Sequence, residues 1–271
     1  MDQSGMLDVN GARLYYEMRG EGHPVVLAHA GIADSRMWDD QMEAFARRYT
    51  VVRYDHRGFG KSTIPPAPYS PHEDLRALLH ALGIERAHLV GVSMSGAMVV
   101  DFALAHPEMV TALVPVCPGL GGYDYEEPEQ EKAAFQQIEE AVKAGDFARA
   151  NDLEVHIWVD GLGRTPEQVN PAVRERVREM NAPGFARQAE YAAAKRQELD
   201  PPAATRLHEI HAPSLAIIGD QDLLTVQMTV DKLATEIPGA RKAVIHGAAH
   251  VPNMERPEEF NQLVLDFLGA L

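Results

Sequence analysis

Short apolar runs alternate with longer amphipathic segments over most of the chain. Near the amino end, MLDV and RLYYEM read as strands joined across Asn10-Gly11, a pair suited to a tight hairpin turn. Four runs follow: VVLAH (25–29), TVVRYD (50–55), AHLVGV (87–92) and ALVPVC (112–117). Each is β-branched and apolar throughout rather than alternating, as expected of a strand covered on both faces. Helix-period segments lie between them at 37–48, 71–82 and 94–106. The second opens on Pro71 with acidic residues and stops at Gly83, as capping chemistry favours.

From Gly121 to Ala204 the strand rhythm is replaced by charged, alanine-rich helical sequence, with breaks expected near Gly161 and Pro183-Gly184. Beyond Asp200-Pro201-Pro202 the alternation resumes with SLAIIGD (214–220), a helix through 226–237, RKAVIH (241–246) and a last helix from about Pro257. The pattern predicts an α/β fold: a mostly parallel sheet with helices on both faces. Residues 1–120 and 205–271 form its core, and 121–204 a helical insertion over the carboxyl edge of the sheet, where such sheets bind ligands.

Composition narrows the function. The 271 residues carry 25 basic and 40 acidic side chains, a net charge of −15, which argues against nucleic acid or an anionic membrane surface as partner. The one cysteine, Cys117, sits in an apolar run and reads as a small core residue. The first residues lack the cationic and apolar regions of a signal peptide, and no apolar run reaches membrane-spanning length, so the expected address is the cytoplasm. Nothing in the sequence indicates an oligomeric state.

Candidate chemistry centres on GVSMSG, Gly91 through Gly96. A nucleophilic serine needs a base, an acid to orient that base, and donors for the oxyanion. Ser93 falls on the expected strand-to-helix turn, with Gly91 two residues before it. Ser95 takes the place of a second glycine, where the expectation is a small residue at a close helix–strand approach. Centring the motif on Ser95 would bury the nucleophile in the first helical turn. After the insertion, GDQD offers Asp222 as the acid, with Asp220 as a loop residue making turn hydrogen bonds. GAAHVPN then offers His250 as the base, while His246 is expected to remain in the strand. Ser, Asp, His is the chain order this architecture uses. The other histidines read as structural or solvated, His72 and His80 sharing a surface helix. HEIH at 208–211 is not a zinc signature, no G-x-G-x-x-G follows the first strand, and neither a metal nor a cofactor is implied.

Four landmarks in order, LAHAGI, YDHRGFGKS, GVSMSG and the pair GDQD with GAAHVPNMERP, give the chain its resemblance to the α/β-hydrolase superfamily. The resemblance implies Ser93 as nucleophile, His250 as general base and Asp222 as its acid, with oxyanion amides from Met94 and Gly31. It makes His29 structural and has Asp55 and Arg57 bonding within the core. The chain departs from the family in having Ala30 where glycine follows the histidine, and Ser95 for glycine. Ser93 separates it from relatives with an aspartate at this turn. The look is that of 3-oxoadipate enol-lactonases and small carboxylesterases, so the expected partner is a small ester or lactone. A carboxylate substrate would call for a cation, for which Arg164, Arg187, Lys195 and Arg196 are available, although solubility of a charged helical lid is the preferred explanation for them. Trp38, Leu120, Trp158, Leu223 and Val251 are candidate pocket residues, with core packing as the competing role. The same triad would also serve a C–C hydrolase or perhydrolase, and the scaffold could instead be a ligand receptor.

Overall fold

The structure, a computed structural model, describes residues 2–271. An eight-stranded sheet runs in the order β1-β2-β4-β3-β5-β6-β7-β8, formed by β1 Gln3–Val9, β2 Ala12–Arg19, β3 Pro24–Ala28, β4 Thr50–Tyr54, β5 Ala87–Val92, β6 Val110–Val116, β7 Leu215–Gly219 and β8 Arg241–Ile245. Only β2 runs against its neighbours; β4-β3-β5-β6-β7-β8 are parallel. The β1–β2 hairpin turns on Asn10 and Gly11, both at positive φ, the twist a two-residue turn needs. β5 is buried along its whole length and β6 nearly so, which explains their unbroken apolar sequence.

Ten helices pack around the sheet: α1 Asp39–Ala46, α2 Pro71–Ala81, α3 Met94–Ala105, α4 Glu129–Lys143, α5 Phe147–Val155, α6 Pro171–Ala186, α7 Gln188–Ala194, α8 Leu224–Glu236, α9 Pro252–Glu255 and α10 Pro257–Gly269. The predicted helix over 37–48 begins instead with a tight 3₁₀ turn, Ser35–Trp38, capped by the Asp34 side chain on the Arg36 amide. His72 is buried in α2 rather than on its surface. The break expected at Pro183-Gly184 falls later: α6 carries Pro183 inside it and ends at Ala186. A proline removes one helical donor without ending the helix where neighbouring contacts hold it, and Val177 and Met180 of α6 are buried.

The stretch between β6 and β7 is helical, with α5 packed on both α4 and α6. It is tied to the sheet layer at several points. Glu131 of α4, itself buried, accepts from the Leu224 amide (2.7 Å) and Thr225 Oγ1 (2.6 Å), while Arg187 and Tyr191 both donate to the Gly58 carbonyl. Asp55 and Arg57 do bond inside the core. Asp55 accepts from the Ser35 and Lys61 amides, and Arg57 pairs with Asp74 (2.8 Å) in α2. Among the described residues no helix is long and apolar enough to cross a membrane.

After β3 the chain turns to β4 on one side and then crosses to β5 on the other. A crevice therefore opens beyond the carboxyl ends of β3 and β5, the place where open α/β sheets accept ligands. The loop 29–31 and Ser93 sit at those two ends.

Candidate active site

Ser93 occupies the turn from β5 into α3 at φ 58° and ψ −115°. A non-glycine residue in this region stores on the order of 1–3 kcal/mol of strain, which the surrounding packing must hold. Its amide donates to the Val116 carbonyl (2.9 Å), locking the turn against β6. The turn is tight enough that a Cβ on Gly91 would lie 2.3 Å from the Ser95 carbonyl oxygen. A Cβ on the adjoining Gly96 would stand 2.7 Å from the Pro118 Cβ, so the first turn of α3 is crowded there as well. Ser93 and Met94 are half-buried, whereas Ser95 is fully enclosed.

Ser95 is engaged elsewhere. Its hydroxyl donates to the His29 carbonyl (2.5 Å) and lies 2.7 Å from His56 Nε2. The hydrogen-bond directions fix both imidazoles. The His56 amide donates to His29 Nε2 (3.0 Å), so His29 carries its proton on Nδ1 and gives it to the Ala30 carbonyl (2.8 Å). Since the Ser95 proton goes to His29, its oxygen accepts from His56 Nε2–H, which leaves His56 Nδ1 to accept from Tyr54 (3.4 Å). Burial pushes the pKa of His56 well below its ordinary value, and the neighbouring His29 ring would oppose a second proton, so His56 stays neutral. The Ser95 hydroxyl thus spends its proton and a lone pair inside the core, tying the start of α3 to the loop after β3.

That loop runs past Met94. A Cβ on Gly31 would lie 3.6 Å from the Met94 Cβ, ordinary van der Waals contact that makes the two residues neighbours. The Ala30 amide is occupied by the Met37 sulfur (3.2 Å).

Two aspartate–histidine pairs lie beyond β7 and β8. Asp222 Oδ2 meets His250 Nδ1 at 2.8 Å in a buried contact, and Asp222 Oδ1 accepts from the Leu223 amide (2.8 Å), so both carboxylate oxygens are fixed. Asp220 pairs with His246, also at 2.8 Å, but the His246 side chain is 80% exposed. His246 lies just past the end of β8 rather than within it. Asp220 also accepts from the Gly247 amide and the Gln221 side chain, a turn-stabilising role. His250 Nε2 is buried and has no hydrogen-bond partner among the described residues.

The His250 loop is gripped from the helical stretch. The His250 amide donates to the Trp158 carbonyl (3.1 Å), and the Trp158 ring packs 4.2 Å from the His250 ring. Trp158 lies in a π-helical turn, His156–Asp160, that follows α5. Arg164 donates to the carbonyls of Val159, Asp160 and Gly247 and pairs with Glu255 (2.8 Å), which in turn accepts from the Ala249 amide (2.7 Å). Burial raises the pKa of Glu255, opposed by the Ala249 amide and by Arg164.

Cys117 Sγ, the Asp222 carboxylate and the His250 ring lie within 4.8 Å of one another, the one such donor group among the described residues. It suits a metal poorly. Asp222 and His250 Nδ1 already satisfy each other, and burial, with the Asp222 charge beside it, pushes the Cys117 thiol well above its ordinary pKa.

Residues 23–257 match the family described as the alpha/beta hydrolase fold. The chain belongs to that family. It is 29% identical over 266 residues to an Azorhizobium caulinodans protein named "Putative carbamate hydrolase RutD", covering 96% of each chain. It is 26% identical over 253 residues to the carboxylesterase YbfK of Bacillus subtilis, covering 90% of this chain and 79% of that one. Among solved structures, the enol-lactonase from Burkholderia xenovorans superposes with a TM-score of 0.79 at 26% identity, over 98% of this chain and 100% of that one.

In this alpha/beta hydrolase, a cavity of about 230 Å³ opens at Gly31, walled by Ile32 and Phe59 from the sheet layer and by Glu154, Phe185 and Tyr191 from the helices above. None of the five residues singled out for a pocket lines it. Trp38 takes the core-packing alternative, fully enclosed with its ring 6.1 Å from Phe260 of α10. Val251 is also fully buried, and Leu120 packs half-buried against the core. Leu223 lines a separate hollow outside the Asp222 loop. Trp158 reaches the site, through His250 rather than through this cavity. Gly31, Ile32 and Phe59 belong to the landmark loops, whereas Glu154, Phe185 and Tyr191 come from helices whose sequence carries no motif.

Proposed function

We propose that this alpha/beta hydrolase is a serine hydrolase that cleaves a small carboxylic ester or lactone through an acyl-enzyme on Ser93. One observation carries the reading. The enclosed Asp222–His250 pair follows β7 and β8, while the strained, half-buried Ser93 ends β5 in the same parallel array. Cys117 links them, since it follows Val116, which accepts from the Ser93 amide, and its sulfur adjoins both Asp222 and His250.

Ser93 Oγ attacks the substrate carbonyl, and His250 Nε2 takes its proton. Asp222, bonded to Nδ1, holds the ring in the tautomer that leaves Nε2 basic and stabilises the imidazolium. The oxyanion is held by the Met94 amide, one of the unpaired donors in the first turn of α3 where the helix dipole favours negative charge, and by the Gly31 amide. His250 then protonates the departing alcohol, and water repeats the sequence to release the acid. Every part of this mechanism is supplied by the chain. Ser95 is unsuited to the nucleophile's role because it is enclosed and its proton is committed to His29.

A fluorophosphonate probe tests the reading. Stoichiometric labelling of Ser93, abolished in Ser93→Ala, together with hydrolysis of short p-nitrophenyl esters, is the expected result. Labelling elsewhere sinks the assignment, and no labelling with no turnover favours a ligand receptor on this scaffold.

A further inference from the structure

The cavity at Gly31 has one feature that the hydrolytic machinery does not use. Glu154, on α5, presents its carboxyl to the cavity, half-buried, and its bonded partner is the neutral amide of Asn181 (2.5 Å). Among the described residues it has no cationic partner. Desolvation raises its pKa and the Asn181 hydrogen bond opposes, so the charged form is supported by a neutral donor and by no cation. The other titratable group on the wall is Tyr191, which burial pushes up to about 12 and whose hydroxyl donates to the Gly58 carbonyl. At neutral pH Glu154 is therefore the one ionisable wall group that can carry charge.

None of the four cations that a carboxylate substrate would need lines this cavity. Arg164 is spent on backbone carbonyls and Glu255, Arg187 donates to the Gly58 carbonyl, and Arg196 pairs with Glu198 (3.1 Å). Lys195 is exposed at the end of α7.

We infer that Glu154 makes this enzyme selective for small esters or lactones bearing a cationic ammonium group, and that carboxylate-bearing ones are rejected. The inference rests on the serine hydrolase reading for its placement, because Gly31 joins the cavity to the oxyanion loop. An arriving ammonium supplies the charge that Glu154 lacks and stabilises its ionised form. A carboxylate in the same place would set two like charges side by side. At about 230 Å³ the cavity falls below the range usual for drug-sized ligands, so the group it takes is small.

The test compares isosteres that differ in charge alone. On the acyl side these are the p-nitrophenyl esters of 4-(trimethylammonio)butanoic and 5,5-dimethylhexanoic acids, with mono-p-nitrophenyl adipate as the anion. On the alcohol side they are acetylcholine and 3,3-dimethylbutyl acetate. Each kcat/KM ratio is measured in the wild type and in Glu154→Gln, which cancels intrinsic reactivity. On at least one side the cation-to-neutral ratio is expected to be about tenfold higher in the wild type. The adipate ester gains in Glu154→Gln, and Glu154→Lys turns the preference towards it.

Ratios unchanged between wild type and Glu154→Gln, on both sides, overturn the inference. If no ester is turned over and Ser93 takes no fluorophosphonate, the hydrolytic reading has failed instead. NMR titration of the wild type and Glu154→Gln with choline and with 3,3-dimethylbutan-1-ol then decides the cation site alone. Tighter choline binding that depends on Glu154 sustains it, and equal binding overturns it.

Discussion

Replacing Ser95 with alanine removes one hydroxyl and leaves the volume nearly unchanged, so its effects report the hydrogen-bond network directly. Two contacts are lost, to the His29 carbonyl at 2.5 Å and to His56 Nε2 at 2.7 Å, in a fully enclosed site. A neutral hydrogen bond contributes ~1 kcal/mol net, and stranding a buried polar partner costs ~1–3 kcal/mol. The expected loss of stability is therefore about 2–3 kcal/mol, or a fall in Tm of roughly 4–12 °C for a chain of this size. The catalytic effect follows from what the network holds. Ser95 fixes the peptide after His29, two residues before the proposed oxyanion donor at Gly31. Complete loss of such a donor costs ~10²–10³ in turnover. Loosening it at one remove should cost about tenfold in kcat, equivalent to ~1.4 kcal/mol of barrier.

The assay is steady-state hydrolysis of a p-nitrophenyl ester alongside inhibition by a boronic acid, whose tetrahedral adduct needs the same amides. In Ser95→Ala, kcat should fall and the boronate inhibition constant rise by a similar factor, with KM little changed. Ser95→Gly should behave alike, and both variants should keep the fluorophosphonate on Ser93 and the reaction class unaltered. A merely structural serine would lower Tm without moving kcat and boronate affinity together. Refutation would be full activity with an unshifted Tm, or a label that moves to or depends on Ser95.

Three further expectations separate neighbouring roles. Asp222→Asn should lower kcat by ~10⁴ through the wrong imidazole tautomer, whereas Asp220→Asn, at the exposed pair, should stay within about twofold; equal losses would mean the acid is misassigned. Arg164→Ala leaves the buried Glu255 carboxylate unpaired and frees the His250 loop. It should cost about 3 kcal/mol by denaturant unfolding, and a loss below about 0.5 kcal/mol would show that the clamp is idle. Burial lowers the pKa of His88 from 6.5 to about 4, with the charge of His23 adding to the effect. The unfolded chain then takes up the proton first, so stability falls as pH drops through that window. Tm should decline between pH 7 and pH 5 in the wild type and less in His88→Gln; identical declines would assign the acid sensitivity to other groups.

The strands were legible because burial on both faces leaves an unbroken apolar run, and each predicted strand from 25 to 246 falls within a residue or two of its observed span. The Ser95 network was not legible, since its partners lie 39 and 66 residues away and no periodicity relates a helix start to two loop histidines. Sequence made Ser95 a glycine substitute; the structure makes it a hydrogen-bonding hub. Trp38 and Glu154 show what local sequence leaves open. An aromatic after the first crevice loop suggests a pocket wall, yet the 3₁₀ turn at Ser35–Trp38 rolls it into the core against α10. A glutamate on a charged helix suggests a solvated face, because helical register gives a direction and not what stands opposite.

The two aspartate–histidine pairs show where order along the chain stops deciding. Asp220–His246 and Asp222–His250 span 26 and 28 residues and have the same contact distance. Spacing alone cannot rank them. Solvent does: at an 80% exposed histidine, water stabilises the imidazolium and leaves the pair worth ~0–1 kcal/mol. At His250, 3% exposed, water cannot do so, and only the enclosed Asp222 carboxylate can balance the charge when the ring takes a proton. A base in the role proposed for His250 depends on its acid, which is why substitution of Asp222 and of Asp220, two residues apart, should differ by orders of magnitude.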